Sequence, residues 1–425
     1  MNIQTLIKQL ESQKHNQILL DLYGDASLID YQNKRYIQAL KEYQHLYGDD
    51  DIEMYTAAGR SEVGGNHTDH QHGRVLAAAI NLDAIAVVSK QKDIIKVVSD
   101  DFNIKEIDIN DLEKKKEEEG TSAALIKGVV SRLKELGYSV GGFKAYITSD
   151  VLIGAGLSSS AAFEDLIGTI IDGLYNNMSI DMVTIAKAGQ YAENVYFGKP
   201  CGLMDQCACA VGGLISIDFK DPYSPLVEPI DIDFGTFHHS LCIVDTKGSH
   251  ASLTNEYAAI PREMKSIAHV FDEEYLRDVD EEKFMERVAD LRIQCGDRAV
   301  LRAYHFFKEN KRVEKLVEAL KKKDFNLFKH FVASSGNSSY KYLQNVFTTI
   351  EPHHQPISIG LAISEDILGD KGVCRVHGGG FAGTIQAFVS DNYVQIYQKE
   401  IEKVFGKGSC HVLKIRKYGG KKIFD

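Results

Sequence analysis

The sequence has no excess of positive charge and no long apolar run, and both absences exclude classes of protein. Among its 425 residues, 60 Asp and Glu outnumber 49 Lys and Arg, for a net charge of −11. Such a chain is poorly suited to binding a nucleic-acid backbone or an anionic membrane. No stretch approaches the ~18 consecutive apolar residues of a membrane helix, and the first residues lack the apolar core of a secretory signal. We therefore expect a cytoplasmic protein without nucleic-acid or membrane partners.

Cysteines are also few, and they do not form a recognisable metal-binding pattern. The seven cysteines are odd in number and lack paired metal-ligand spacing, although Cys207 and Cys209 lie two residues apart. This usage is typical of reduced thiols in a cytosolic protein, and that single pair makes only a weak metal site.

Proline is scarce, and its distribution predicts a domain boundary. Three of the seven prolines fall between residues 221 and 235, a stretch that lies between two strand-like runs. The chain is also longer than the ~250–300 residues at which single cores stop growing. We therefore predict two domains, residues 1–230 and 231–425.

Apolar periodicity predicts a mixture of helices and strands. Residues 1 to about 48 have helical spacing and are predicted to form an N-terminal helical arm. Strands are predicted at 78–89 and 94–99, a helix at 123–136, long helices between about 262 and 347, and strands near 373–377, 386–389 and 411–416. The order around residues 143–164 is strand, glycine-rich loop and helix, which is typical of phosphate-binding proteins.

The first motif is that loop, GAGLSSSAAFE, from Gly154 to Glu164. Small residues let backbone N–H groups approach an anion, and the following helix begins with its positive dipole end. An ordinary turn with a serine cap is the alternative, but three consecutive serines followed by two alanines favour phosphate binding. The Gly-Lys-Ser/Thr ending of a Walker A loop is missing. The candidate nucleotide-binding residues are Gly154, Gly156, Leu157, Ser158, Ser159, Ser160 and Ala161.

The second motif, AAGRSEVGGNHTDHQHG, spans Ala57 to Gly73 and concentrates polar side chains in one segment. His67 and Asp69 could form part of a metal site or an ordinary polar loop. A sugar-binding role suits them better, since a carboxylate and an imidazole offer directional hydrogen bonds to neighbouring hydroxyls.

The third motif carries two acids, Glu193 late on a predicted helix and Asp205 after a Cys-Gly turn. Such pairs are more often at the surface than in a site. The residues around Asp205 are largely apolar, so we expect its carboxylate to be partly buried for a functional reason.

The fourth motif, VCRVHGGGFAG, spans Val373 to Gly383 and matches the dinucleotide pattern G-x-G-x-x-G. In a Rossmann fold this pattern must open a helix. The residues that follow, TIQAFVS, instead predict a strand. We therefore predict a glycine loop between two strands that shapes the nucleotide and sugar cleft.

Taken together and in this order, GRSEVGGNHTD, GAGLSSSAA, CGLMDQ and GGGFAG resemble the signatures of the galactokinase branch of the GHMP kinase superfamily. A further stretch, SHASLTNEY from Ser249 to Tyr257, is similar to another segment of that family. The resemblance implies an α+β, two-domain GHMP kinase fold, with a ribosomal protein S5 domain 2-like N-terminal domain. The C-terminal domain is then ferredoxin-like with added helices, and ATP and sugar meet between the two.

The resemblance also implies a role for individual residues in the transfer of phosphate from ATP to the C1 hydroxyl of a hexose, D-galactose above all. Asp205 corresponds to the catalytic carboxylate, and Arg60 to the arginine beside it. Ser160 and Glu193 correspond to the Mg²⁺ ligands. The sugar-contacting positions are Asn66, His67, Asp69, Gly202 and Tyr257.

The chain departs from the family at several positions. Asn66 replaces the usual glutamate, and we hypothesise that the loss of this carboxylate would admit a sugar altered at C6, such as a uronic acid or a deoxy sugar. Val151 and Leu152 stand where the second signature usually has a proline, and His377 and Ala382 replace the more typical Thr and Gly. These three changes are compatible with activity.

Three alternatives stay open from the sequence. One is a kinase for a C6-modified or N-acetylated galactose-type sugar, and another is a non-catalytic sugar sensor that retains the kinase fold. The third is a GHMP kinase for another alcohol, of the mevalonate or homoserine type. We expect a monomer or a weak dimer.

Overall fold

A computed structural model describes residues 1–100, 102–152, 154, 156–248 and 253–424 of the chain. The helices are α1 Ile3–Glu11, α2 Asn16–Tyr23, α3 Ile29–Tyr47, α4 Ser122–Glu135, α5 Ser159–Asn176, α6 Met182–Tyr191, α7 Met204–Val211, α8 Thr254–His269, α9 Glu281–Glu286, α10 Val288–Cys295, α11 Asp297–Lys321, α12 Phe325–Ser338, α13 Pro356–Leu368 and α14 Val394–Phe405. The strands are β1 Glu53–Gly64, β2 Arg74–Lys90, β3 Ile94–Ser99, β4 Phe102–Asn103, β5 Ile107–Asp108, β6 Phe143–Ser149, β7 Leu214–Asp218, β8 Leu226–Ile230, β9 His239–Asp245, β10 Gly372–Val376, β11 Thr384–Ser390, β12 Cys410–Leu413 and β13 Lys421–Ile423. Ala192–Phe197 and Ser339–Leu343 are π-helical.

The first sheet is built around the long strand β2. Its order is β13-β1-β2-β6-β3-β4, with β5 on β3 and with β7 and β8 extending from the other end of β2. All its pairings are antiparallel except the one between β3 and β6. Helices α4, α5 and α6 cover one face, and their apolar side chains, such as Ile170 of α5, pack on sheet residues such as Ala86 and Ile147.

The N-terminal helices cover the opposite face of this sheet. The prediction that residues 1–48 are helical is confirmed, but the expectation of an arm is wrong, because α1, α2 and α3 contribute a packed core with Tyr36 and Ile85. A buried charge cluster also fixes α3, since Arg35 and Arg416 each approach the Asp83 carboxylate to 2.6 Å. Replacing either arginine would leave a buried carboxylate with less compensation, which is strongly destabilising.

The second sheet has the antiparallel order β10-β11-β9-β12. Helices α13 and α14 pack on one side of it through residues such as Ile357, Tyr397 and Ile401. The predicted strand after Gly383 is confirmed as β11, which pairs with β10, so the glycine loop between them joins two strands. The predicted α+β class is also confirmed, since strands and helices form separate layers in both halves.

The predicted boundary near residue 230 coincides with the end of β8, and β9 after it begins the second sheet. The division at that residue stays a prediction. The last strand, β13, pairs with β1 of the first sheet, so the chain end returns to the N-terminal half. A shared core that includes Val63, Leu241 and Phe388 joins the two halves. Within the described ranges, no helix is long and apolar enough to cross a membrane.

Candidate active site

The loop before α5 presents an open helix N-terminus. Gly154 and Gly156 have φ of +78° and +69°, and Ser158 has φ of +59°, so the chain turns sharply into the helix. Ser158 is the N-cap residue, but among the described residues its side chain makes no capping bond to the helix. The first N–H groups of α5, from Ser159 onward, therefore stay available to an anion. Ile153 and Ala155 of this loop lie outside the described residues.

Arg60 on β1 joins this loop to Asp205. Its Nε and Nη2 each donate to one oxygen of the Asp205 carboxylate at 2.9 Å, and its Nη1 donates to the Gly156 carbonyl at 2.5 Å. The Ser158 hydroxyl donates to Asp205 Oδ2 at 2.5 Å. Arg60 is 8% exposed and Asp205 is 37% exposed, so the carboxylate faces the cleft while the guanidinium lies behind it.

These contacts set the charge of Asp205. Burial favours the neutral acid, but the charge and hydrogen bonds of Arg60, together with the Ser158 hydroxyl, hold the pKa of Asp205 below its ordinary value. Asp205 is thus an anion at neutral pH, in the first turn of α7 and close to the N-terminus of α5. The sequence-predicted pair of Arg60 and Asp205 is brought together as a bidentate ion pair.

An acidic cluster lies beside Asp205. Gln206 Nε2 donates to Glu164 Oε2 and to Glu193 Oε2, each at 3.0 Å, so one amide holds two carboxylates close together. Burial and then the Glu193 charge raise the pKa of Glu164 to about 9. Ser160 lies one helical turn before Glu164 on α5 and therefore on the same face of that helix.

This cluster fits a divalent cation bound jointly with a nucleotide. Among the described residues, Glu164 Oε1 and Gln206 Oε1 are buried without a hydrogen-bond partner. In the same ranges, no group of three or more His, Cys, Asp or Glu forms a metal site. Mg²⁺ usually takes only one or two carboxylates and completes its shell with phosphates and water. A hydroxyl at Ser160 and a carboxylate at Glu193 are suited to that chemistry.

The second motif brings Asp69 beside Gly202 and His67 against the Gly379 carbonyl. A Cβ added to Gly202 would lie 2.9 Å from Asp69 Oδ2, so this glycine leaves room for the carboxylate. His67 Nε2 donates to the Gly379 carbonyl at 3.0 Å, which leaves its Nδ1 to accept from His70 Nε2 at 2.8 Å. Burial lowers the pKa of His67 to about 3, so this imidazole is neutral.

Tyr257 lies against the same glycine loop. Its hydroxyl donates to the Gly380 carbonyl at 2.7 Å, and a Cβ at Gly379 would lie 2.7 Å from its ring. Tyr257 is on α8, whose N-terminal approach, residues 249–252 of the predicted SHASLTNEY segment, lies outside the described residues. The loop at Gly378–Gly380 therefore connects the predicted sugar-binding side chains.

Asn66 is part of a buried network. Its Nδ2 donates to the Gly378 carbonyl at 2.7 Å and to Glu62 Oε1 at 3.1 Å, and its Oδ1 accepts from Asn345 Nδ2 at 2.8 Å. The side chain is fully buried. A direct contact between this amide and a sugar would require the loss of one of these hydrogen bonds. The assignment of Asn66 as a sugar-contacting residue therefore stays a prediction.

The hypothesis that Asn66 changes selectivity at C6 stays a prediction, but another carboxylate lies beside this residue. The Glu62 carboxylate lies beside Asn66 and also accepts from Arg375 Nη2 at 2.8 Å. Burial raises the pKa of Glu62, although Arg375 and Arg60 oppose that effect. The Glu62 carboxylate therefore lies close to residue 66, the position at which the family's usual glutamate is replaced by Asn66.

Two parts of the chain match models of known protein families. A model of the galactokinase galactose-binding signature matches residues 41–90, and a model of the GHMP kinase N-terminal domain matches residues 124–213. The chain is 32% identical over 369 residues to a galactokinase of Glaesserella parasuis serovar 5, covering 86% of this chain and 92% of that protein. It is 28% identical to a galactokinase of Lactobacillus helveticus over 87% of this chain and 93% of that protein.

The chain belongs to the galactokinase family. The fold agrees with that assignment. The structure of Lactococcus lactis galactokinase complexed with galactose matches with a TM-score of 0.76 at 24% identity, covering 91% of this chain and 100% of that one. A mevalonate kinase structure matches with a TM-score of 0.59 at 18% identity, covering 86% and 99%. The predicted GHMP kinase fold is confirmed.

Several residues in this galactokinase-family site were missed by the sequence reasoning. Glu164, Gln206 and Lys199 surround Glu193, while Glu62 and Arg375 pair beneath Asn66. Gln206 follows Asp205 directly, and Glu164 ends the serine motif, so both had a signal in the motifs. Lys199 lies only six residues after Glu193, so the sequence placed it near that acid without assigning it a role. The pairing of Glu62 with Arg375 had no signal, because it joins residues 313 positions apart.

Proposed function

We propose that this chain transfers the γ-phosphoryl group of ATP to the anomeric C1 hydroxyl of D-galactose. The main observation in support of this proposal is the bidentate ion pair of Arg60 and Asp205 at the open N-terminus of α5. The N-terminus of α5 suits a phosphate, and the Asp205 carboxylate suits an attacking hydroxyl. Membership of the galactokinase family and the match to its galactose-binding signature support the choice of sugar.

Asp205 orients the C1 hydroxyl for attack. Because Arg60 and Ser158 hold its pKa low, Asp205 is a weak base, and it accepts the hydroxyl proton late, as the new bond to phosphorus forms. This order suits phosphoryl transfer, in which the nucleophile needs little deprotonation before a loose transition state. The carboxylate stays fixed because both of its oxygens are hydrogen-bonded.

Arg60 and the first turn of α5 stabilise negative charge during the transfer. Arg60 contacts Asp205 and the Gly156 carbonyl, so its charge lies between the base and the phosphate-binding loop. The backbone N–H groups of Ser159, Ser160 and Ala161 face the anion at the positive end of the helix. Gly154, Gly156 and Leu157 shape the loop that brings the phosphates to these groups.

Ser160 and Glu193 are the residues that would hold Mg²⁺. When bound, the cation neutralises charge on the nucleotide phosphates. The unpartnered Oε1 atoms of Glu164 and Gln206 and the crowded carboxylates support a cation here. Glu193 is 5% exposed, so a hard cation would compensate a carboxylate that solvent does not reach.

His67, Asp69, Gly202 and Tyr257 are the proposed sugar contacts. Asp69 is 18% exposed beside Gly202, and a carboxylate in that place can accept from two neighbouring hydroxyls. The Glu62 carboxylate beneath Asn66 is paired with the Arg375 guanidinium at 2.8 Å, so the carboxylate that the pocket presents to the sugar is that of Asp69. We therefore expect a neutral hexose to be preferred over a uronic acid, whose own carboxylate would be repelled by Asp69.

The test is ADP release from MgATP with galactose, N-acetylgalactosamine, galacturonate, glucose, arabinose and fucose, followed by phosphorus and proton NMR of the product. The expected result is turnover with galactose and an anomeric phosphate, with galacturonate a poor substrate. Turnover confined to galacturonate would refute the neutral-hexose assignment. An absence of turnover with every sugar, by a folded protein that binds galactose, would refute catalysis and favour a sensor.

A further inference from the structure

Lys199 makes an ion pair with the carboxylate assigned to the metal. Its Nζ lies 2.9 Å from Glu193 Oε1. The lysine side chain is 63% exposed, whereas that of Glu193 is 5% exposed. The Lys199 backbone N–H also donates to the Glu193 carbonyl at 3.1 Å, at the end of the π-helical turn. The ammonium is thus anchored beside a carboxylate that is otherwise enclosed by protein.

The other side of the Glu193 carboxylate is already engaged. Glu193 Oε2 accepts from Gln206 Nε2 at 3.0 Å, and Gln206 is fully buried. The same amide nitrogen holds Glu164. Oε1 is therefore the oxygen open to a cation, and Lys199 occupies it.

The environment explains why a cation is held there. Glu164 and Glu193 lie close together, since Gln206 Nε2 donates to one carboxylate oxygen of each at 3.0 Å, and Asp205 directly precedes Gln206 in the chain. Arg60 compensates Asp205 but does not contact Glu193. A buried carboxylate without a partner is strongly destabilising, so the ammonium of Lys199 provides compensation when no metal is bound.

We propose that Lys199 is a built-in counter-cation for Glu193, which Mg²⁺ must displace from Oε1 to bind. This inference rests on the proposed assignment of Glu193 to the metal. The displaced ammonium stays tethered within reach of the same carboxylate, so it continues to compete with the metal. The affinity of the site for Mg²⁺, and hence the Mg²⁺ concentration that activity requires, therefore depends on residue 199 as well as on the metal ligands.

The test measures metal binding without catalysis. Binding of Mn²⁺ alone is followed by electron paramagnetic resonance in the parent protein and in Lys199→Met, which keeps the length of the side chain but removes its charge. Loss of one partly exposed ion-pair competitor predicts about fivefold tighter Mn²⁺ binding. Lys199→Arg retains the charge and is expected to bind Mn²⁺ as the parent does.

Two further variants make the result specific. Lys187→Met makes the same change of net charge on α6, where Lys187 Nζ donates to the Tyr223 carbonyl at 3.4 Å. This variant should leave Mn²⁺ binding unchanged. Glu193→Gln should weaken Mn²⁺ binding and abolish the gain from Lys199→Met. Unchanged or weaker Mn²⁺ binding in Lys199→Met, or an equal gain in Lys187→Met, would overturn the proposal.

Failure of the proposed function has a separate readout. If Mn²⁺ binding responds to residue 199 as expected but no sugar phosphate forms, the displacement holds and the kinase assignment fails. If galactose 1-phosphate forms normally but Lys199→Met has the Mn²⁺ affinity of the parent, the kinase assignment holds and the displacement is refuted.

Discussion

Replacing Arg60 with lysine tests the arrangement of charge in the proposed active site. Arg60 makes two hydrogen bonds to Asp205 and one to the Gly156 carbonyl. A lysine ammonium is a point charge that cannot reproduce this fork, so two of the three bonds should be lost. At about 1.5 kcal/mol for each charged hydrogen bond, the loss is ~3 kcal/mol, or about 100-fold in kcat/KM.

The pH profile of this variant gives a second, independent readout. Arg60 holds the pKa of Asp205 below its ordinary value against the effect of burial. With fewer contacts to the cation, the pKa of Asp205 rises. Activity requires the ionised carboxylate, so the ascending limb of kcat/KM should move to higher pH in Arg60→Lys.

The matched control is Arg132→Lys on α4, where the arginine is 39% exposed and makes an ion pair with Glu135 at 3.1 Å. That variant should retain the activity and pH profile of the parent. A fall of less than tenfold in Arg60→Lys, together with an unshifted acidic limb, would refute the role assigned to the fork.

Three further variants test the site. Asp205→Asn should lower kcat by about 10²–10⁴ while calorimetry shows nearly unchanged galactose binding, and near-parental turnover would exclude Asp205 from proton transfer. Gly202→Ala should raise the KM for galactose with little change in kcat, because the new Cβ would displace the Asp69 carboxylate. An unchanged KM would argue against Asp69 as a sugar contact. Glu62→Gln removes the charge of the buried partner of Arg375, and it should lower the free energy of unfolding by about 3 kcal/mol, measured by urea denaturation. A change below about 1 kcal/mol would show that the ion pair contributes little to stability.

Much of the secondary structure near the site follows from local sequence. The strand at β6, the turn at Gly154 and Gly156 and the helix after Ser158 are set by apolar periodicity, positive φ and helix initiation. The strand after Gly383 is predicted from the same apolar periodicity. It distinguishes the glycine loop before it from the loop of a dinucleotide-binding fold, which opens a helix. These features depend on neighbours within a few residues, which is why the sequence predicts them.

The N-terminal helices show where local pattern becomes insufficient. Their helical spacing is readable, but whether they project or pack depends on Asp83, which lies on β2 and binds Arg35 and Arg416 from opposite ends of the chain. The return of β13 to pair with β1 is equally non-local. Contacts separated by hundreds of residues have no periodicity from which to predict them.

The sequence by itself determined the family, the order of the four motifs and the pairing of an arginine with a catalytic-type aspartate, because each is carried by short segments with fixed residue types. Only the tertiary structure decided that Asn66 is enclosed by Glu62 and Asn345 and that Lys199 neutralises Glu193. The contact of Asn66 with Asn345 joins distant segments, and the Lys199 ion pair depends on the π-helical turn that brings the ammonium back to a carboxylate six residues before it. Burial makes an unpartnered charge costly, and that cost is decided by the folded environment rather than by the neighbours along the chain.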